Sequence, residues 1–331
     1  MKVIQFSEIG DYDVLKTAEI PIPAVLPGQA LVKIELAAVN PVDDTVRRGI
    51  IRPAKLPMIP GNEAVGIVRQ GNAEFPVGAR VMLSCFNPSG QVRGIYVDGA
   101  WQEYIAAWSS ELLPIPSNVS DEAAAAFPVA YFSAQACLNK AEFIPGRSVL
   151  ALGIGGAVGN ATVQLARAAG ASLVISTAGS SSKAELARQM GFENIIDLSS
   201  ESISEGVSRI TAGKGVDIVV DSIGGHLTGE AIHSMSRNGI LVAIGYSAGA
   251  AFTANITDFV WKGLQMRGQS LNGWFDVPAQ QKVWEQLLPL LAAGKIKPAV
   301  ARVFPAAETA SAQRFLAEER PFGKVLVKFG D

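Results

Sequence analysis

The chain has 331 residues, 49% of them hydrophobic and 18% charged, enough for a sizeable core and too little charge to hold the chain unfolded; at about 150 residues per domain it should hold two. Twenty-eight Lys and Arg stand against 30 Asp and Glu with no long run of one sign, so the electrostatic footprint of a nucleic-acid binder is missing. The two cysteines, Cys85 and Cys137, and two histidines, His226 and His233, cannot be assembled into the usual zinc spacings.

The N-terminus meets Glu8 and Asp11 before any apolar signal region develops, and the near-apolar run 123–132 is far short of the roughly 20 residues a membrane span needs. A soluble, reduced, cytoplasmic chain that crosses no membrane is expected.

In chain order, β-branched segments at 30–36, 64–68 and 80–83 are separated by Pro, Gly and Asn clusters, which predicts an all-β barrel or sandwich. Twelve of 18 prolines fall in residues 1–128, Pro145 alone in 129–270, and five beyond. From Ser120 the pattern turns helical, with Asp121 and Glu122 in the first turn and a bridging helix behind them. Strands at 148–152, 172–177, 194–197, 217–221 and 240–245 then alternate with helices at 158–169, 183–190, 202–211 and 228–236. Strands this apolar are covered on both faces, which predicts a parallel doubly wound sheet. Ser182-x-x-Glu185 and Ser202-x-x-Glu205 fit capping boxes, and Gly170, Gly191, Gly213 and Gly239 fall at helix ends. After Gly268 a strand-like segment, an amphipathic helix around 280–293 and a strand at 324–329 are too little for an independent domain and must pack on something already built.

The most specific feature is Gly153-Ile154-Gly155-Gly156-Ala157-Val158-Gly159, between a strand and a helix. Glycines there permit a tight turn, let backbone N–H groups approach a pyrophosphate, and place the anion at the positive end of a helix dipole. Where an NAD site carries a carboxylate about 20 residues on, this chain reads Ser176 to Lys183 with Thr177, Ser180, Ser181 and Lys183 and no acid. Hydroxyls and one ammonium suit a 2′-phosphate, so NADP(H) is the expected cofactor; the alternative use of Ser182 is to cap a helix and of Lys183 to be a solvated charge.

At this point the chain resembles the medium-chain dehydrogenase/reductase superfamily, and within it the zinc-free quinone oxidoreductases and related enone or enoyl reductases. The resemblance covers nearly the whole length and rests on residues 39–43 (VNPVD), Arg47 with Gly49, residues 61–66 (GNEAVG), 77–81 (VGARV), 99–104 (GAWQEY), 217–225, and Gly323-Lys324-Val325. It implies a GroES-like catalytic barrel from residues 1–120 and 269–331, a Rossmann-type NADP-binding domain at 121–268, and substrate in the cleft. The resemblance implies a homodimer too, with residues 266–274 as the expected contact.

In the zinc alcohol dehydrogenases of this superfamily Asn62 would be a histidine ligand, a cysteine would stand near Asn40, and four cysteines would occupy a loop around 85–100. None is present, so the donor types argue against zinc, and Cys85 and Cys137 read as small core residues. Without a Lewis acid, hydride addition to an isolated carbonyl lacks charge stabilisation, whereas a quinone or enone spreads the charge. NADPH-dependent reduction of such an acceptor is the expected activity. By resemblance Asn40 sits at the substrate and nicotinamide end, with Asp43 and Thr45 supporting its loop; an Asn-Pro turn is the plainer alternative. Ser133, Ser222, Gly245, Tyr246 and Ser247 match cofactor-lining positions, with core packing as the rival for Tyr246.

The chain departs from the family where Ile51 replaces a frequent tyrosine, where Ala157 replaces a glycine, and where Tyr131 replaces a glycine. Tyr131 could supply a hydroxyl or simply pack in the core. Two rivals remain: an enoyl-thioester reductase whose entrance is lined by Arg47, Arg48, Arg52 and Lys55, and a non-catalytic NADPH-binding adaptor.

Overall fold

The computed structural model describes residues 1–271 and 277–330. The chain divides into two units: Met1–Val129 with Leu271–Ala292 and Pro298–Asp331, and Ala130–Ser270 with Ala293–Lys297.

In the first unit, β1 (Lys2–Gln5) and β2 (Lys16–Glu19) form a two-stranded ribbon. The long strand β3 (Gln29–Val39) leads into the short helix α1 (Pro41–Arg47), with Pro41 at the position where a missing N–H costs least. Then come β4 (Ala64–Gln70), β5 (Arg80–Leu83), β6 (Tyr104–Trp108), β7 (Leu112–Pro114) and helix α2 (Asp121–Ala125), capped by the Ser120 hydroxyl on Ala123 N–H. The expected bridging helix is two helices: α2 ends at Ala125, and Pro128 opens α3 (Pro128–Lys140), because proline is tolerated in a first turn and not within a helix.

The second unit alternates β8 (Ser148–Ala151), α4 (Ala157–Ala168), β9 (Leu173–Ala178), α5 (Ser181–Gln189), β10 (Ile195–Asp197), α6 (Ile203–Thr211), β11 (Val216–Asp221), α7 (His226–His233), β12 (Met235–Ala243), α8 (Ile256–Lys262) and β13 (Gln265–Gly268). Its six strands are all parallel in the order β10-β9-β8-β11-β12-β13. The chain leaves β8 first to one side and later returns to the other, so the switch point lies between the carboxyl ends of β8 and β11, where such sheets hold ligands. Leu150, Ile175, Val219 and Leu241 form its fully buried centre.

Residues 277–330 return to the first unit, apart from 293–297. Helix α9 (Val277–Ala292) is followed by β14 (Val300–Pro305), α10 (Thr309–Glu319) and β15 (Lys324–Lys328). β15 joins the first sheet antiparallel to β3, with Val325 opposite Val39. The sheet order is β14-β15-β3-β4-β5-β7, with β6 on β3. Val32, Ile34, Trp101 and Val325 are among its buried core.

Three local expectations change. Ser180, not Ser182, caps α5, accepting from Lys183 N–H while its hydroxyl meets that of Ser182. Gly239 lies inside β12 rather than at a helix end, because α7 has already stopped at His233. The strand-like segment expected after Gly268, and the end of the expected dimer segment 266–274, fall on residues outside those described.

Candidate active site and dinucleotide site

In the first unit, register assembles a buried polar cluster. Val325 lies opposite Val39 and Ala64 opposite Ala37, so the residues just outside these pairs, Lys324, Asn40 and Glu63, meet at one end of three adjacent strands. Lys324 Nζ donates to Asn40 Oδ1 and to Glu63 Oε1. Asn40 Nδ2 donates to Glu63 Oε1 over 3.1 Å, and Glu63 Oε2 accepts from Val129 N–H at 2.6 Å. Glu63 is fully buried, Lys324 is 4% exposed and Asn40 5%. Both ends of the Asn40 amide are thus fixed, leaving one Nδ2 proton for another acceptor.

Asp43 ties this cluster to the loop before β4. Its Oδ2 accepts from Asn40 N–H at 2.7 Å and its Oδ1 from Gly61 N–H at 3.1 Å. Gly61 has φ +94, and a Cβ there would stand 2.4 Å from the Trp101 ring, so only glycine allows this approach. Burial pushes the Asp43 carboxyl up to about 7, against the two backbone hydrogen bonds and Lys324, which pull it down, and with Glu63 adding to the rise. The folded chain holds this proton to about pH 7 while the unfolded chain releases it near 3.8; this group's contribution to stability therefore falls as pH rises across that window. Carbon-13 NMR of the Asp43 carboxyl is expected to show a midpoint near 7, and titration complete below pH 5 would contradict the assignment.

Zinc does not fit the residues present. The Asn62 Nδ2 is committed to the Arg93 carbonyl, and its Oδ1 is a buried amide oxygen without a partner. Burial raises the Cys85 thiol, so it stays protonated and is no thiolate ligand. Cys137, a free thiol inside the second unit, is pushed up to about 12 for the same reason. Among the described residues no group of three or more His, Cys, Asp or Glu could hold a metal ion.

In the second unit, the glycine turn closes through Gly153 N–H donating to Thr177 Oγ1 at 2.9 Å and Ile154 N–H donating to Thr177 O at 2.8 Å. Gly156 precedes α4 in an extended conformation, and no side chain caps that helix. A Cβ on Gly159 would lie 2.2 Å from Gly153 O and 2.4 Å from Leu152 O, so α4 can start this close to β8 only on glycine. Ala157 and Val158 open α4, and the extra methyl of Ala157 leaves the turn intact. The backbone cradle therefore fits a dinucleotide pyrophosphate, with Gly155 in the same turn.

Ser222 follows β11 and its hydroxyl donates to Leu152 O at 3.1 Å; a Cβ on Gly245 would be 2.1 Å from Ser222 O. Gly153, Ser222, Gly245, Tyr246 and Ser247 thus cluster at the carboxyl edge, beside the switch point. Tyr246 is 49% exposed, which removes core packing as its role. Tyr131 goes the other way. It is 2% exposed, its hydroxyl accepts from Gln164 Nε2 at 2.9 Å, and the same amide reaches Asn160 Oδ1 and Lys297 O. Burial raises the Tyr131 phenol further above its ordinary range, so its place is in the packing of α3 on α4. Ser133 is buried on α3, and the Thr45 hydroxyl turns back to Val42 O at 2.8 Å.

Sequence reasoning missed Glu63, Lys324 and Asp197. The last ends β10 and holds the Ser181 hydroxyl at 2.6 Å. A charged residue at the edge of an apolar strand was the available signal for each. The basic entrance expected from Arg47, Arg48, Arg52 and Lys55 is also altered. Arg47 is fully buried, bonded to Asp44, Gly10 O and Gln313 and stacked 4.3 Å over Tyr12, and Lys55 pairs with Asp98 at 2.6 Å.

A family profile described as "Alcohol dehydrogenase GroES-like domain" matches residues 26–117, and one described as "Zinc-binding dehydrogenase" matches residues 157–293. The chain is 31% identical to an Arabidopsis thaliana protein named "NADPH-dependent alkenal/one oxidoreductase, chloroplastic", over 99% of this chain and 79% of that one. It is 28% identical to the rat "Quinone oxidoreductase", covering 94% and 92%. The crystal structure of Escherichia coli quinone oxidoreductase complexed with NADPH superposes with a TM-score of 0.85 at 27% identity, covering 99% of this chain and 100% of that one.

Proposed function

The chain belongs to the medium-chain dehydrogenase/reductase superfamily, in its quinone oxidoreductase-like group, and from that premise we propose that this oxidoreductase uses NADPH to reduce a quinone or an α,β-unsaturated carbonyl compound without zinc. The observation that carries the reading is the Asn40–Glu63–Lys324 cluster: an amide held at both ends by an ion pair, in a donor set unfit for zinc.

Bound NADPH supplies a hydride. The turn at Gly153–Gly159, Thr177 and the start of α5 with Ser180 and Lys183 hold the dinucleotide, with Ser222, Gly245, Tyr246 and Ser247 along the same edge; Ser133 and Thr45 belong to this set by resemblance. Asn40 offers its remaining N–H to the oxygen on which charge accumulates. Delocalisation over a conjugated acceptor leaves that oxygen less charge than an isolated carbonyl would carry, so one fixed donor and water suffice. Asp43 holds the backbone of Asn40 and Gly61 in register and does not touch the acceptor.

Among the described residues no helix is long and apolar enough to cross a membrane. Free buried thiols suit the reducing cytoplasm, and the exposed Ile256, Val260 and Trp261 of α8, at 70–73%, suit a homodimer formed beside the edge strand β13.

Steady-state oxidation of NADPH and NADH against a quinone, an enone and an enoyl-CoA, with metal analysis and light scattering on the same sample, tests the reading. Turnover of the quinone or enone by a zinc-free dimer is expected. Tight NADPH binding with no turnover of any acceptor would favour an adaptor, and preference for the enoyl-CoA would overturn the substrate class.

A further inference from the structure

The sequence around Ser176–Lys183 lacks the acid that usually meets an adenosine ribose, yet the fold brings one in from the neighbouring strand. β10 pairs with β9 so that Asp197 lies opposite Ala178, at the carboxyl edge of the sheet and beside the start of α5. Ser181 Oγ donates to Asp197 Oδ2 at 2.6 Å, Ser199 Oγ donates to Asp197 Oδ1 at 2.6 Å, and Ser199 N–H donates to the same oxygen at 3.0 Å. These hydroxyls hold the Asp197 carboxyl below its ordinary range, so it is an anion at neutral pH.

Both serine protons point at the carboxylate. The Ser181 and Ser199 oxygens lie 3.0 Å apart; a hydroxyl has one proton, and with that proton given to the carboxylate the oxygen keeps lone pairs alone for a further partner. An oxygen in that state accepts from a ribose 2′-hydroxyl and has no proton to give a 2′-phosphate. The carboxylate behind it adds repulsion toward a dianion and none toward a hydroxyl. Ser180 is engaged differently: its hydroxyl accepts from Lys183 N–H as the helix cap and lies 3.0 Å from the Ser182 hydroxyl, away from Asp197.

We propose that Asp197, acting through the Ser181 hydroxyl, is a specificity-setting residue at the adenosine 2′ position, one that holds down the preference for NADPH so that NADH is accepted as well. It rests on the dinucleotide reading of the glycine turn and goes beyond it. Asp197 is a positioning residue: it fixes which way the Ser181 proton points. In Asp197→Asn the amide oxygen keeps the Ser199 donors, while the amide nitrogen donates to Ser181 Oγ and turns its proton outward to a phosphate.

The test measures Kd for NADPH and NADH by nicotinamide fluorescence, with no acceptor, in the parent protein, Asp197→Asn, Ser181→Ala and the double variant, with Tm as the control for folding. In the parent protein the two affinities are expected within about tenfold. Asp197→Asn is expected to raise the NADPH-over-NADH preference about tenfold, mainly through tighter NADPH, and the double variant to lose most of that gain. An unchanged ratio in a folded Asp197→Asn protein would overturn the proposal, as would the same gain in the Ser181→Ala background. Both results leave the proposed reaction standing, whereas binding of neither dinucleotide would overturn that reaction and this proposal together.

Discussion

Lys324→Met is expected to lower Tm on the order of 10 °C and to cut kcat about 100-fold. Lys324 is 4% exposed and its partner Glu63 is fully buried, so methionine fills the space of the aliphatic stem but leaves a carboxylate in the interior with no cation. Breaking a buried pair from one side costs about 3–5 kcal/mol, and for a folding unit of about 150–250 residues roughly 2–4 °C of Tm accompanies each kcal/mol. The kinetic loss has a separate origin. Asn40 Oδ1 loses its donor, so the amide can turn and its N–H no longer waits at a fixed place. The paired variant Lys324→Met with Glu63→Gln separates the two effects. Removing both charges is expected to return much of the Tm, because no unpaired charge remains, while kcat stays low because Asn40 is still loose. Thermal melts and steady-state kinetics on the three proteins check this. Recovery of kcat together with Tm would show that Lys324 serves folding alone.

The parts legible in the sequence were those whose cause is local. The β-α alternation showed because parallel strands such as Val149–Ala151 and Ile218–Val220 are covered on both faces and fully buried, and the Ser202 capping box showed because both partners lie within one turn. The glycine turn announced itself since a close backbone approach admits no side chain. What stayed hidden depends on pairing. Lys324 and Glu63 are 261 residues apart in the chain, and only the register of β15 on β3 brings them together. Asp197 was equally out of sight: its strand was visible, but not that parallel pairing sets it beside the serine-rich loop. The polar start of β12, at Ser236, Arg237 and Asn238, shows no alternation, so the pattern predicts a helix running on to Ser236, past the true start of the strand at Met235. Tyr131 and Tyr246 were weighed by residue type, which cannot tell a buried phenol on α3 from an exposed one after β12.

Gly156→Val is expected to weaken NADPH binding by roughly 10²–10⁴-fold while moving Tm little. Gly156 sits at φ −82 and ψ 151 before α4, a conformation valine adopts readily. An added Cβ meets only Gly153 O, at 3.3 Å, so the turn gives by a few tenths of an ångström and the fold survives. The branched side chain nevertheless stands over the first N–H groups of α4, where a pyrophosphate would accept. Two charge-assisted hydrogen bonds lost, at about 1.5–3 kcal/mol each, account for a loss of that size. Gly159→Ala supplies the contrast. Its methyl would press on two backbone carbonyls at 2.2 and 2.4 Å, so it is expected to lower Tm as well as affinity. Fluorescence titration with NADPH and a thermal melt on each variant distinguish a blocked anion site from a broken turn. A Gly156→Val protein that binds NADPH normally would mean that the pyrophosphate does not rest on this turn, and the dinucleotide site would have to be sought elsewhere on the sheet edge.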